Sequence, residues 1–245
     1  MQVLLNCDLG ESYGNWIMGL DEDVMPFLDQ ANVACGFHGG DPVTMEKTLK
    51  LAAQHNVCVG AHPAYPDLVG FGRRSMALSP EELRSALLYQ IAALDGMAQT
   101  TGVNIEYVKP HGALYNDMMA DAAVRDTVMQ TVAAYAKPLR LMLQATPAVD
   151  QHLKEASALG LALWFEAFAD RCYDDDGRLL SRRKPGAVHD RARMLAQVEQ
   201  LTRDSTVTTV SGKTLALQVD TLCVHGDNAE GVQAIREIRE LLADA

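Results

Sequence analysis

The sequence predicts an α/β fold, an irregular parallel β/α barrel of seven or eight strand–helix units spanning residues 1–245 as one domain. Three observations predict it. A short apolar run that ends in Asn, His, Lys or Glu recurs along the chain, each time followed by a Gly/Pro turn and then a helical pattern; parallel sheets covered by helices read this way. The helix starts are written in capping residues. The length of 245 residues is close to the roughly 250 residues such a barrel needs. A doubly wound open sheet shares the alternation and is the competing architecture.

The candidate strands, in order, are Gln2–Asn6, Asn32–Cys35, Val57–Gly60, Glu106–Lys109, Leu139–Gln144, Leu161–Glu166 and Thr221–His225. Between them, Asp41-Pro42 reads as an N-cap followed by a first-turn proline. Ser79-Pro80-Glu81-Glu82 reads as a capping box, and Thr146-Pro147 repeats the cap-and-proline pattern. Leu83, Leu87, Leu88, Ile91, Leu94 and Ala98 form one apolar stripe at helical spacing. Val232, Ile235, Ile238, Leu241 and Leu242 form another; both are core faces. Two long loops interrupt the rhythm, Tyr65–Ser75 and the highly charged Asp170–Gly186, and loops of that length often bind or cover a ligand. Asp204–Val219 alternates like a β-hairpin decoration.

Composition narrows the function. The net charge of −11, from 21 basic and 32 acidic side chains, argues against a nucleic-acid partner, which needs a basic footprint. No apolar run is long enough to span a membrane, and Asp8 and Glu11 come too early for a secretory signal. Five cysteines without CxxC spacing point to a reducing, cytoplasmic setting rather than a disulfide framework.

Four of the seven histidines share one context. His38 in CGFHGGD, His62 in GAHPAYPD, His111 in VKPHGALYN and His225 in CVHGDN each sit at or just past the end of an apolar run, beside Gly or Pro. In a β/α barrel those strand ends converge on one mouth, where active sites lie. A lone histidine there is more often a structural hydrogen-bonder; four in one repeated context weaken that reading. His55, His152 and His189 carry no functional expectation.

Carboxylates join the same mouth. Asp8 and Glu11 follow the first strand and Asn6, Glu166 ends the sixth run with Asp170 and Arg171 just beyond, and Asp227 follows His225. Asp67 lies in the first long loop. Asp41 reads as a helix cap, and Asp174–Asp176 as a solvated run. Lys109 ends a strand and can hold an anion or polarise a carbonyl; the competing role is a structural ion pair to Asp8 or Glu166. Arg73, Arg74, Arg171 and the 182–184 cluster are candidates for bidentate anion binding.

Several chemistries drop out. Gly212–Thr214 spells GKT, but Val207 stands where a phosphate loop needs glycine. There is no GxGxxG after a strand and no GxSxG elbow. Cys7, Cys35 and Cys223 read as buried small hydrophobes before nucleophiles. If a divalent metal is bound, Asp8, His38 and His62 form the first candidate triad. A metal-free site using the same groups for acid–base work fits the sequence equally.

Six blocks in order, NCDLGESYG, ANVACGFHGGDP, GAHPAYPDLVGFGRR, VKPHGALYN, EAFADRCYDDDGRL–RRKPGAV and CVHGDN, resemble the LamB/YcsF family over residues 2–228. Ala64 departs from an expected glycine, and Leu4 from an acidic residue in the first strand. The resemblance implies a barrel similar to the glycoside hydrolase/deacetylase fold and the role of the A component of bacterial ATP-dependent 5-oxoprolinase. It implies 5-oxo-L-proline as substrate, opened to L-glutamate with ATP (with its Mg²⁺) as co-substrate, and a complex with 5-oxoprolinase subunits B and C. On that footing Asp8, His62, Lys109, His111 and Glu166 are expected to be catalytic: Lys109 and His111 polarise the lactam, Asp8 or Glu166 is the base, and His62 and His225 serve the leaving nitrogen or oxyanion. Asn6, Glu11, His38, Arg73, Asp170, Arg171, His225 and Asp227 are expected to line the substrate. A metal-dependent deacetylase or amidohydrolase without ATP, and a non-catalytic component that presents the substrate, stand as alternatives.

Overall fold

β1 (Leu4–Leu9) opens a barrel whose strands all point the same way. In the computed structural model, which describes residues 3–181, 184–225 and 229–243, α1 (Asp21–Val24) and a short 3₁₀ turn lead to β2 (Gln30–Ala34). Then come α2 (Pro42–His55), β3 (Cys58–His62), α3 (Pro80–Thr100), β4 (Ile105–Val108), α4 (Gly112–Ala120) and α5 (Ala122–Ala133). β5 (Arg140–Gln144), α6 (Val149–Ser157), β6 (Leu163–Phe168) and α7 (Arg191–Asp204) follow. A hairpin of β7 (Thr206–Thr208) and β8 (Thr214–Ala216) precedes β9 (Thr221–Cys223) and α8 (Ala229–Ala243).

The strand order is β1-β2-β3-β4-β5-β6-β9, closed into a ring. Closure decides between the two architectures open in the sequence. β9 pairs on one side with β6, Glu166 opposite Thr221, and on the other with β1, Asn6 opposite Cys223. An open sheet would leave that edge unpaired. The register slips between Val59 and Gly60 where β3 meets β4. That slip and the count of seven strands make the barrel irregular.

All seven apolar runs became barrel strands, with shifted ends. β1 continues to Leu9, so Asp8 lies inside the strand rather than after it, and β6 continues to Phe168, so Glu166 is also interior. β-pairing to β2 and β9 carries both strands past the point where apolar content stops. The hairpin of β7 and β8 is antiparallel, as its alternation suggested. Asp175, placed in a solvated run by the sequence, accepts from the Thr209 and Ser211 hydroxyls at 2.6 Å and so pins that hairpin.

The caps behave largely as written. Asp41 accepts from the backbone of Val43 and Thr44 and also from Gly14 at 2.7 Å, tying the loop after β1 to α2. Ser79 and Glu82 form the reciprocal capping box. Thr146 does not cap α6: its hydroxyl accepts from Ala148 at 3.2 Å, and the helix begins at Val149. Such local side-chain turns compete with helix entry. The α3 stripe is buried except for the half-buried Leu88, as is the α8 stripe except for Leu241. Among the described residues, no helix is long and apolar enough to cross a membrane.

Candidate active site at the barrel mouth

Alternation along a strand sends residues i and i+2 to the same face. Asn6 and Asp8 of β1, Gln30 and Asn32 of β2, Tyr107 and Lys109 on β4 and its exit, Glu166 of β6 and Thr221 of β9 therefore share the barrel interior. They form one hydrogen-bonded chain. Thr221 Oγ1 donates to Gln30 Oε1 at 2.6 Å and accepts from Asn6 Nδ2 at 2.9 Å. Asn32 Nδ2 donates to Asn6 Oδ1 and to Asp8 Oδ1, both at 2.8 Å, while the Tyr107 hydroxyl donates to Asn32 Oδ1 at 2.6 Å. Buried polar groups of this kind rigidify a core when each finds a partner.

Lys109 ends the chain. Its Nζ lies 2.8 Å from Asp8 Oδ1 and 2.7 Å from Glu166 Oε1, with Asn6 Oδ1 and Cys223 Sγ both at 3.4 Å. The ammonium has only three donors, and these partners use them. The ion pair weighed against anion binding in the sequence is thus present on both sides. Burial pulls the ammonium toward its neutral form, but the Asp8 and Glu166 carboxylates reverse this and hold its pKa well above the ordinary lysine value. Burial pushes Asp8 up, but His62 and Lys109 outweigh it and hold its carboxyl well below the usual range. Asp8 is therefore ionised at neutral pH. Glu166 is fully buried and takes a further bond from the Tyr115 hydroxyl at 2.9 Å.

A second cluster sits beside the first. His62 Nδ1 lies 2.7 Å from the Lys109 carbonyl, and His111 Nε2 lies 2.9 Å from the Phe71 carbonyl. Their remaining nitrogens, His62 Nε2 and His111 Nδ1, face each other at 3.0 Å. His38 stacks on His111 with ring centroids 3.7 Å apart, and its Nε2 is 3.0 Å from Glu11 Oε1. Burial lowers the pKa values of His38 and His111 well below the ordinary value and raises that of Glu11. Glycine makes this packing possible. Gly72 has φ +61°, and a Cβ there would meet His111 Cδ2 at 2.8 Å and His38 Cβ at 2.9 Å.

Glu11, His38, His62 and His111 each offer a ligand atom, all within 4.8 Å of one another; Asp8, Cys223 and His225 form a second such group. The sequence triad of Asp8, His38 and His62 is divided between them: His38 pairs with Glu11, and His62 bridges to Asp8 at 3.4 Å.

A cavity of about 1260 Å³ opens above both clusters, lined among others by Asp8, Glu11, His62, Lys109, His111 and His225. Arg73 also lines it, exposed and with its guanidinium 5.1 Å from the Phe71 ring centre. His225 Nδ1 is 2.8 Å from Asp170 Oδ2. Arg171 lines the wall while donating to the Leu180 and Ala187 carbonyls, which holds the Asp170–Gly186 loop in place. Asn6, His38 and Glu166 lie beneath the lining rather than on it. Asp67 does not join the mouth: it is engaged by Arg74 within its own loop, which also occupies that arginine. Asp227, Arg182 and Arg183 lie outside the described residues. The sequence reading missed Asn32, Tyr107 and Tyr115; the inward alternation of Gln30/Asn32 and Tyr107/Lys109 carried the signal for the first two.

Residues 3–245 match the LamB/YcsF family. A Pseudomonas putida protein, named there as the second A component of 5-oxoprolinase, is 57% identical over 244 residues, covering 98% of this chain and 94% of its own. The 5-oxoprolinase A component of Chromohalobacter salexigens is 56% identical over 238 residues, covering 97% and 95%. Among solved structures, a lactam utilization protein of Thermus thermophilus superposes with a TM-score of 0.90 at 40% identity, covering 99% of this chain and 98% of that one. A putative cellobiose-phosphate cleavage protein of Enterococcus faecalis shares the fold, with a TM-score of 0.59 at 9% identity over 99% of this chain and 94% of its own.

Proposed function

The chain belongs to the LamB/YcsF family, and on that premise we propose that it is the A component of an ATP-dependent 5-oxoprolinase whose barrel mouth opens the lactam of 5-oxo-L-proline to give L-glutamate. The observation that carries this reading is an ionised Asp8 on the cavity wall, held in place by Lys109 Nζ at 2.8 Å.

A five-membered lactam is an unreactive amide. Opening it adds one water across the C–N bond, with the hydroxyl on the carbonyl carbon and a proton on the nitrogen. Transfer of a phosphoryl group from ATP to the amide oxygen makes that carbon electrophilic, and phosphate then leaves. Asp8 takes the proton from the attacking water. Lys109 fixes the Asp8 carboxylate and is a positioning residue; Glu166, buried behind it, neutralises the ammonium and serves as its second anchor. That assigns the base to Asp8 rather than Glu166, because only Asp8 reaches the cavity. His225, oriented by Asp170, stands across the mouth to serve the leaving nitrogen, and Arg73 is the exposed cation available to the substrate carboxylate.

The cavity of about 1260 Å³ exceeds the roughly 300–1,000 Å³ usual for small-ligand sites. It leaves room for more than the lactam, as a phosphoryl donor or a partner's loop requires. With no phosphate loop in the chain, ATP and its Mg²⁺ are assigned to subunits B and C or to a non-P-loop mode. The relatives' designation as one component of several supports such a complex. The histidine cluster favours one alternative, a metal-dependent amidohydrolase that needs no ATP. Glutamate release from 5-oxoproline, assayed with and without ATP and with and without B and C, separates them. Turnover only in the complete mixture supports the proposal; turnover by this chain alone without ATP replaces it with the amidohydrolase.

A further inference from the structure

We propose that Glu11, His38, His62 and His111 form a binding site for one divalent transition metal of the zinc type. Hydrogen bonding fixes the tautomers of two of the rings. A carbonyl oxygen can only accept, so the contact of His62 Nδ1 with the Lys109 carbonyl at 2.7 Å puts the ring proton on Nδ1 and leaves Nε2 bare. By the same logic the contact of His111 Nε2 with the Phe71 carbonyl at 2.9 Å leaves His111 Nδ1 bare. These two bare nitrogens face each other at 3.0 Å. Opposed lone pairs at that distance repel unless something cationic lies between them.

A single proton can join one pair of acceptors, but more than one pair converges here. Glu11 Oε1 lies 3.5 Å from His111 Nδ1 and 3.0 Å from His38 Nε2. Four donors at about 2.1 Å from a tetrahedral zinc sit about 3.4 Å apart, which matches these separations. The outer contacts also fit: a metal-binding histidine commonly donates its other N–H to a backbone carbonyl, which fixes the tautomer and aims the ring, and both His62 and His111 do so. The buried His38 Nδ1 has no hydrogen-bond partner, so the hydrogen bonds of the fold alone do not explain this ring's placement.

The donor chemistry selects the ion. Three imidazoles and one carboxylate suit zinc, cobalt or nickel, whereas magnesium and calcium take oxygen ligands. Asp8 lies outside the set. It contacts the cluster only through His62, and its own oxygens are used by Lys109 and Asn32. The site therefore adjoins the Asp8–Lys109 pair without sharing its carboxylate.

Metal binding does not depend on which substrate is turned over, so its test reads metal. The full chain is stripped with a chelator and dialysed against Zn²⁺, or against Co²⁺ for spectroscopy. The expected result is about one equivalent bound per chain, a Co²⁺ absorption of the four-coordinate, imidazole-rich type, and a rise in melting temperature on Zn²⁺ addition. Glu11→Gln, at the cavity edge, and His111→Gln are expected to lose stoichiometric binding, and Asp8→Asn to keep it. If His111→Gln does not fold, Glu11→Gln and the wild-type Co²⁺ spectrum still decide. No uptake by the wild type, a hexa-aqua-like spectrum, or undiminished binding by Glu11→Gln would overturn the site. Loss of metal in Asp8→Asn would overturn this ligand set in favour of one centred on Asp8.

Discussion

Asp8 Oδ1 accepts from Lys109 Nζ at 2.8 Å, and the same ammonium is 2.7 Å from Glu166 Oε1. One cation thus holds two buried carboxylates, only one of which reaches the cavity. Removing the lysine strands both acids. Lys109→Ala is expected to cost about 3–5 kcal/mol of stability, the usual penalty for breaking a buried pair on one side. Urea denaturation checks it. A raised KM with stability intact would instead mean that Lys109 acts mainly as a substrate anchor.

Tyr107 sits one layer below. Its hydroxyl donates to Asn32 Oδ1, and Asn32 in turn donates to Asp8. Tyr107→Phe leaves a buried acceptor short of one bond, at a cost of about 1–3 kcal/mol. It also loosens the amide that aims Asp8, so kcat of the assembled enzyme should fall while KM stays close to the wild-type value. A change confined to KM would detach Tyr107 from the placement of Asp8.

Gly72→Ala and Gly96→Ala form a matched pair. Gly72 has φ +61° and meets both His38 and His111. An alanine there costs at least about 1–2 kcal/mol for the left-handed backbone alone, and it should displace the histidine cluster. Gly96 lies exposed within α3 with nothing near its absent Cβ, so alanine should stabilise by about 0.5–1 kcal/mol. Thermal unfolding of the two variants should move in opposite directions.

Glu155 gives a pH test away from the mouth. The Arg125 guanidinium, bonded to both its carboxylate oxygens, pulls its pKa from 4.5 down to about 2. A carboxyl lowered in the folded state contributes stability that is present above its unfolded value and is lost as pH falls through the folded one. The stability gap between wild type and Glu155→Gln should therefore be constant above about pH 5 and close as pH falls from 4.5 toward about 2. A gap that persists at the acid end would show that packing of the side chain, rather than its charge, makes the contribution.

The barrel was legible because each strand is a short apolar run closed by a polar residue and a turn, and all seven such runs found their places. The mouth was legible for a related reason: His38, His62, His111 and His225 mark strand exits. What the pattern hid was direction and depth. Glu166 read as a strand-end acid facing the substrate, yet β6 continues past it and it faces Lys109 from within the barrel. The pairing of Glu11 with His38 joins loops 27 residues apart, a meeting set by closure of the ring rather than by local spacing. Thr146 had the composition of a cap without the backbone of one, because its hydroxyl closes a local turn first.

The most direct measurement is glutamate release from 5-oxo-L-proline by the enzyme assembled with Asp8→Asn in place of the wild-type chain, with ATP present and assembly verified. Asparagine keeps the size and hydrogen-bonding reach of Asp8 but cannot take a proton from water. Turnover is expected to fall by about 10²–10⁴-fold, the range of a lost general base, with the fold and the complex intact. Wild-type rates of glutamate release from that assembly would contradict the role of Asp8 and leave this chain without the chemical step.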